Sequence, residues 1–221
     1  MIYDPSPLRL SLQVATIATL LSLLLGVPLA WLLSRGSFRG RDLISVLILL
    51  PMVLPPTVLG YYLLRLIGRE AALGRAWEAL GFGRLVFTPT AAVVAAFVAS
   101  LPFLLKGAQA GFDQVDRVYE EAARTLGRTE LQIFFTVTTP LAWKGIVAGI
   151  ALGFARAMGE FGATLMIAGN IPGRTQTASI AIYDAVQASR LDEANLNALI
   201  LSVVTGVMLL LLAKLGRGTG W

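Results

Sequence analysis

Five stretches of this chain are apolar over roughly the 20 residues that an α-helix needs to cross the hydrocarbon of a bilayer: 8–33, 43–64, 86–105, 140–169 and 196–215. No other feature limits the fold so strongly, because in lipid every backbone amide and carbonyl must find its partner inside the chain. Long helices with internal Gly and Pro meet that demand. A membrane barrel would instead show segments of about ten residues in strict alternation. A soluble helical core fails on supply: 56% of the 221 residues are hydrophobic, and five such segments leave too little polar surface to cover them. The first stretch reads as a span rather than a secretory leader. It lacks a basic start, carries Asp4 ahead of the apolar run, and outlasts the usual apolar core of about 7–15 residues.

The net charge of +5 comes from basic residues that form no single-faced patch, so nucleic acid is not the expected partner. Membrane topology accounts for them more simply. The compact turn Arg35-Gly-Ser-Phe-Arg39-Gly-Arg41 reads as cytoplasmic, which puts the N-terminus outside; five spans then put the C-terminus inside. On that arrangement ten of the 18 Lys and Arg residues are cytoplasmic, a modest bias carried mainly by this first loop.

Absent residue types narrow the chemistry. With no cysteine and no histidine, thiolate nucleophiles, imidazole bases, disulfides and Cys or His metal sites are excluded. No G-x-x-x-x-G-K-[ST] occurs, so the chain has no phosphate loop of its own, and nucleotide-driven work requires a partner. A membrane-embedded enzyme would need convergent ionisable groups within its spans. Here the clear intramembrane candidates are Arg156 and Glu160, with Arg65 and Lys106 nearer span ends.

The chain reads as one domain, 1–221, without a linker. The second span contains Pro51, Pro55 and Pro56 and is expected to bend where the prolines remove backbone donors. Residues 68–84 should form a short external helix. Thr88 and Pro89 have the pattern of an N-cap and first helical residue for the third span, which is expected to finish near Lys106.

The charged segment 113–139 carries the most local information. Val115, Val118, Tyr119, Ala122 and Leu126 recur at helical spacing and make one apolar stripe. Asp113 is expected to cap this helix, with Asp113–Arg117 and Glu120–Arg124 pairing at i,i+4 on its polar side. Gly127 sits where a left-handed C-terminal cap is needed, and Thr129 with Gln132 has the capping-box spacing that opens a second short helix. Helix, glycine corner, helix is the expected motif. A short apolar segment at 178–186 cannot cross a membrane and fits an additional re-entrant helix in 177–188.

Glu121-Ala-Ala123, followed by Gly127, Val137 and Pro140, resembles the EAA loop of ABC-importer permeases. Thr139 and Lys144 depart from that family's usual leucine and second proline, and both bear on the start of the fourth span rather than on the glycine corner. Phe154-Ala-Arg-Ala-Met-Gly-Glu-Phe-Gly-Ala163, Gly169-Asn-Ile-Pro-Gly-Arg-Thr175 and Leu54-Pro-Pro-Thr-Val-Leu-Gly-Tyr61 are similar to the molybdate-transport branch of these permeases, with sulfate or thiosulfate permeases as the near alternative. A simple channel would not need a coupling corner.

The resemblance implies an all-α permease of the type I importer fold. It implies a homodimer in the lipid of a prokaryotic cytoplasmic membrane, two separate ATPase subunits that use ATP and Mg, and an extracytoplasmic molybdate-binding protein. The chain itself would bind no cofactor and catalyse no reaction. The same resemblance assigns Glu120, Glu121, Ala122, Ala123, Gly127 and Arg128 to coupling with the ATPase. Arg156, Gly159, Glu160, Gly162, Pro55 and Pro56 are expected at the pathway or gate, because charges and proline breaks within spans should face protein or water rather than lipid, and Asn170 and Arg174 are expected in the external loop. Arg156 and Glu160, four apart, are expected on one face of a continuous fourth helix, with Gly159 and Gly162 letting two copies of it approach.

Overall fold

The computed structural model describes residues 4–217, and every regular element among them is helical. In chain order these are α1 (Ser6–Arg35), α2 (Arg41–Val53), α3 (Pro56–Ile67), α4 (Ala72–Ala79), α5 (Pro89–Asp113), α6 (Arg117–Thr125) and α7 (Glu130–Ile133). A π-helical segment (Phe134–Thr138) follows, then α8 (Thr139–Leu141), α9 (Trp143–Met158), α10 (Gly162–Ala168), α11 (Ala178–Gln187) and α12 (Leu191–Arg217). The single helices α1, α5 and α12 are long and apolar enough to cross a membrane, and the number reaches five if each of two bent pairs is one span.

The body is a layer of α1, α5 and α9, with α5 in the middle. Small residues make this packing close. Ala91, Ala92, Ala95, Ala96 and Ala99 of α5 are buried against Val14, Ala15 and Ala18 of α1. At the other end, Leu104, Leu105, Ala108 and Phe112 pack with Val27, Ala30, Leu33 and Ile146. Between α5 and α9 the backbones themselves touch. A Cβ built on Gly145 would lie 2.3 Å from Gly111 Cα, and one on Gly107 would lie 2.4 Å from Gly149 Cα. Gly107/Gly111 and Gly145/Gly149 are each four apart, the spacing by which small residues let membrane helices close on one another. This crossing, absent from the expectations above, is written in the sequence as two G-x-x-x-G pairs.

Several local expectations hold. Thr88 caps α5 by accepting from the Ala91 amide, with Pro89 at the first helical position. The polar stretch after the second span contains α4. The predicted bend in the second span is sharper than a kink: α2 and α3 are turned by 118° across Leu54–Pro55. Pro51 is carried inside α2 without breaking it, so the Pro55-Pro56 pair sets the break.

Other expectations need correction. The third span does not finish near Lys106 but continues to Asp113 as one helix. Asp113 therefore closes α5 instead of opening the next helix; Asp116 is the N-cap of α6, accepting from the Val118 amide at 3.0 Å. The fourth span is not one continuous helix. A 76° bend falls at Ala142, and α9 stops at Gly159, three residues before α10 begins. Glu160 thus lies in the break rather than on a helix face shared with Arg156.

Candidate coupling corner and gate

Ser34, Arg35, Asp113, α6 and α7 cluster at one end of the molecule. Ser11, Phe87, the loop 169–177, α11 and the start of α12 cluster at the other, held there by the Ala178 amide on Ser11 Oγ (2.8 Å) and the Phe87 amide on the Ile167 carbonyl (2.8 Å). The two candidate sites take one end each.

The corner is built as its sequence predicted. Gly127 has φ +78°, and the amides of Gly127 and Arg128 donate to the Arg124 and Ala123 carbonyls, closing the C-terminus of α6. A Cβ on Gly127 would meet nothing within 4 Å, so the glycine is required by its backbone angle and not by crowding. The Thr129–Gln132 capping box is complete, with both reciprocal hydrogen bonds present. The π-helical segment and the 76° bend then fill the stretch containing the two departures from the family pattern, Thr139 and Lys144.

Which face of α6 looks inward was not foreseen. Within the helix only Glu120 and Ala123 are buried. Val118, Tyr119, Ala122 and Leu126 are exposed, Leu126 at 83%; from the predicted stripe only Val115, in the connection before α6, joins the core. The outward face of α6 is thus the apolar one. The predicted i,i+4 pairs Asp113–Arg117 and Glu120–Arg124 do not form. Asp113 accepts from the Ser34 hydroxyl instead. Glu120 Oε1 accepts from both Arg35 Nε (3.0 Å) and Thr138 Oγ1 (2.8 Å), while Arg35 Nη2 donates to the Val115 carbonyl at 2.7 Å. Arg124 reaches across the glycine corner to Glu130 through two hydrogen bonds of 2.6 and 3.0 Å, which raise its pKa above the ordinary arginine value. The sequence carried no signal for Arg35–Glu120, because its members are 85 positions apart.

At the second site, Glu160 is 3% exposed in the break between α9 and α10. One carboxylate oxygen accepts from the Ala163 amide at 2.8 Å, where the first-turn amides of α10, which have no partner within the helix, and its dipole favour negative charge; the other lies 2.6 Å from Arg156 Nη2. The two residues pair in charge, brought together by the break after α9 and not by a shared helix face. Gly162 is occupied within the chain. A Cβ there would lie 2.7 Å from Pro56 Cβ, so this glycine seats α10 on α3 and is unavailable for the close approach of a second copy; Gly159 is exposed, with nothing nearer than 3.6 Å to its would-be Cβ. Pro55 and Pro56 are exposed at the α2–α3 break, beside this junction.

Asn170 bridges Asp184 (3.0 Å) and Gln176 (2.9 Å), fixing the loop to α11, and Arg174 is exposed. The loop's shape comes from Gly169 and Gly173, both at positive φ, and from the fully buried Thr175, whose hydroxyl bridges the Ile171 amide and the Gly169 carbonyl.

Residues 22–217 match the family described as the binding-protein-dependent transport system inner membrane component. The chain belongs to that family. It is 39% identical over 225 residues to the molybdenum transport system permease protein ModB of Haemophilus influenzae, covering 96% of this chain and 97% of that one. The protein of the same name from Azotobacter vinelandii is 42% identical over 87% of this chain and 85% of its own length. That of Escherichia coli K12 is 40% identical, over 93% and 90%. Among solved structures, the MetNI methionine ABC transporter superposes with a TM-score of 0.74 at 16% identity, covering 97% of this chain and 95% of that chain. A bacterial ABC transporter involved in import of the polysaccharide alginate also gives 0.74, at 14% identity, covering 98% and 79%. At such identities the structural match speaks for the fold, which is that of type I ABC-importer permeases. This permease is a transport subunit of an inner membrane and not an enzyme.

Proposed function

We propose that this permease lines the pathway of an ATP-driven importer for molybdate or tungstate. It would work as a homodimer with two ATPase subunits below and an oxyanion-binding protein outside. The observation that carries the reading is the outward-facing apolar stripe of α6: Val118, Tyr119, Ala122 and Leu126 stand exposed on a helix whose ends are both fixed by hydrogen bonds. Exposed apolar groups on a fixed charged helix suit a socket in a second protein. The permeases similar over nearly the whole chain are named for molybdenum transport, and that supports the choice of substrate.

On this reading Glu121, Ala122, Gly127 and Arg128 contact or shape the ATPase socket, while Ala123 sits inward. Arg156, Gly159, Glu160, Pro55 and Pro56 form the outer gate, with Gly162 seating α10 on α3 behind it, and Asn170 and Arg174 face the binding protein. The N-terminus lies outside and the C-terminus in the cytoplasm, as the basic turn after α1 favours. ATP and Mg belong to the partner.

The test is reconstitution of the permease with co-expressed ATPase and binding protein in vesicles. ATP-dependent uptake of radiolabelled molybdate that survives excess sulfate is expected. Uptake of sulfate at the same rate would move the assignment to the sulfate branch, and solute flow without ATP would make the protein a channel.

A further inference from the structure

The attachment of α6 to the rest of the molecule is unusual for a helix that must transmit force. Of its nine residues only two are buried, and one of these is a carboxylate. Glu120 is 3% exposed, so it cannot be offered to a partner's socket, although its position next to the Glu-Ala-Ala run suggested that role. Its Oε1 is a shared acceptor for Arg35 at the end of α1 and for the fully buried Thr138 at the end of the π-helical segment. Arg35 also holds the Val115 carbonyl, and its neighbour Ser34 holds Asp113 at the end of α5.

We propose that Arg35, Glu120 and Thr138 form a transmission joint. Displacement of the docked α6 passes through the Glu120 carboxylate into α1 and, through Thr138, into the bend that leads to α9. Glu120 is therefore a positioning residue for coupling and not an ATPase contact. Stability alone gives little reason to keep such a group, because desolvating two charges offsets most of their attraction, and apolar replacements of similar size are often as stable. A charged hydrogen-bonded cluster does supply direction: it has few allowed arrangements, so moving one member obliges the others to follow. The adjoining π-helical turn, a rare geometry frequently found at functional sites, is where the chain can take up that movement.

The proposal rests on the importer reading, and its test separates the two. Permease, ATPase subunits and binding protein are reconstituted in vesicles, and molybdate taken up per ATP hydrolysed is measured together with the amount of assembled complex. Glu120→Gln can still present Oε1 to both donors and removes only the charge; Glu120→Ala removes the joint, and Thr138→Val removes one arm at constant shape. The expected order of uptake per ATP is wild type, then Gln, then Ala, with Ala reduced about tenfold and Thr138→Val in between, a coupling loss of ordinary allosteric size. The ATPase subunits should stay bound throughout. Wild-type ratios in Glu120→Ala and Thr138→Val overturn the joint, and so does loss of ATPase binding in Glu120→Ala, which would make Glu120 a docking contact. If Glu120→Ala does not reach the membrane, Thr138→Val decides. Failure of the wild type itself to take up molybdate is a failure of the importer reading.

Discussion

The α5–α9 crossing can be tested with one methyl group. In Gly145→Ala the new Cβ would lie 2.3 Å from Gly111 Cα, 2.6 Å from Gly111 N and 2.9 Å from the Gly107 carbonyl oxygen. All three are backbone atoms, so no side-chain rotation can relieve the contact. Carbon atoms rest at about 3.5–4.0 Å, so the helices must part locally by roughly 1.2–1.7 Å, and a gap of even 0.5–1 Å already forfeits a quarter to a half of each dispersion contact. Overpacking of this kind costs about 1–3 kcal/mol. Replacing a helical glycine by alanine returns up to about 1 kcal/mol of helix propensity. The net loss is then up to about 2 kcal/mol, or up to roughly 8 °C in melting temperature for a chain of this length, and the propensity gain cancels against a control that shares it. A matched control lies in the same protein: Gly206 of α12 has no heavy atom within 4 Å of its would-be Cβ, so Gly206→Ala should be neutral or slightly stabilising. Thermal unfolding in detergent, followed by fluorescence of the four tryptophans, reads both variants. Equal melting of Gly145→Ala and Gly206→Ala would refute backbone contact between α5 and α9.

Three further outcomes follow from the two sites. Because the Gly127 Cβ position is open and only φ +78° disfavours a side chain, Gly127→Asn should keep near-normal uptake while Gly127→Val, at a strain of about 1–2 kcal/mol, should lose it with protein level retained; equal loss in both would point to steric exclusion by a partner instead. Ser37 is exposed in the basic turn and the native chain has no cysteine, so Ser37→Cys should be protected from a membrane-impermeant thiol reagent added outside and react only after permeabilisation. Glu160→Gln retains a carbonyl oxygen for the Ala163 amide but drops the charge beside Arg156; uptake or basal ATP hydrolysis should change while assembly stays intact, and wild-type values of both would leave Glu160 a structural tie between α9 and α10.

What could be read directly was local or compositional. The apolar runs required helices because lipid offers no partner for a free backbone group. Thr88-Pro89, Thr129 with Gln132, and Gly127 each act within a few positions of the chain, and each is found doing what its type and spacing imply. The G-x-x-x-G pairs of α5 and α9 were equally legible, and identify the crossing once they are taken as partners.

The choices left to tertiary structure were those in which a local pairing competes with a distant one. Glu120 could have met Arg124 one turn away, in water, where such a pair contributes a few tenths of a kcal/mol. Packing of α6 turned it inward to Arg35 and Thr138, which left the apolar stripe facing out. Asp113 and Asp116 are both competent caps, and α5 had to extend to Asp113 before Asp116 could open α6. Gly159 and Gly162 allow either a helix or a break; the seat of Gly162 on Pro56 and the carboxylate of Glu160 at the first turn of α10 decide for the break. Sequence alone thus settled which stretches are helical in the main and three of their caps, at Thr88, Gly127 and Thr129. Which faces are buried, and which charges meet, depended on contacts between residues up to 85 positions apart, whose free energies no local pattern encodes.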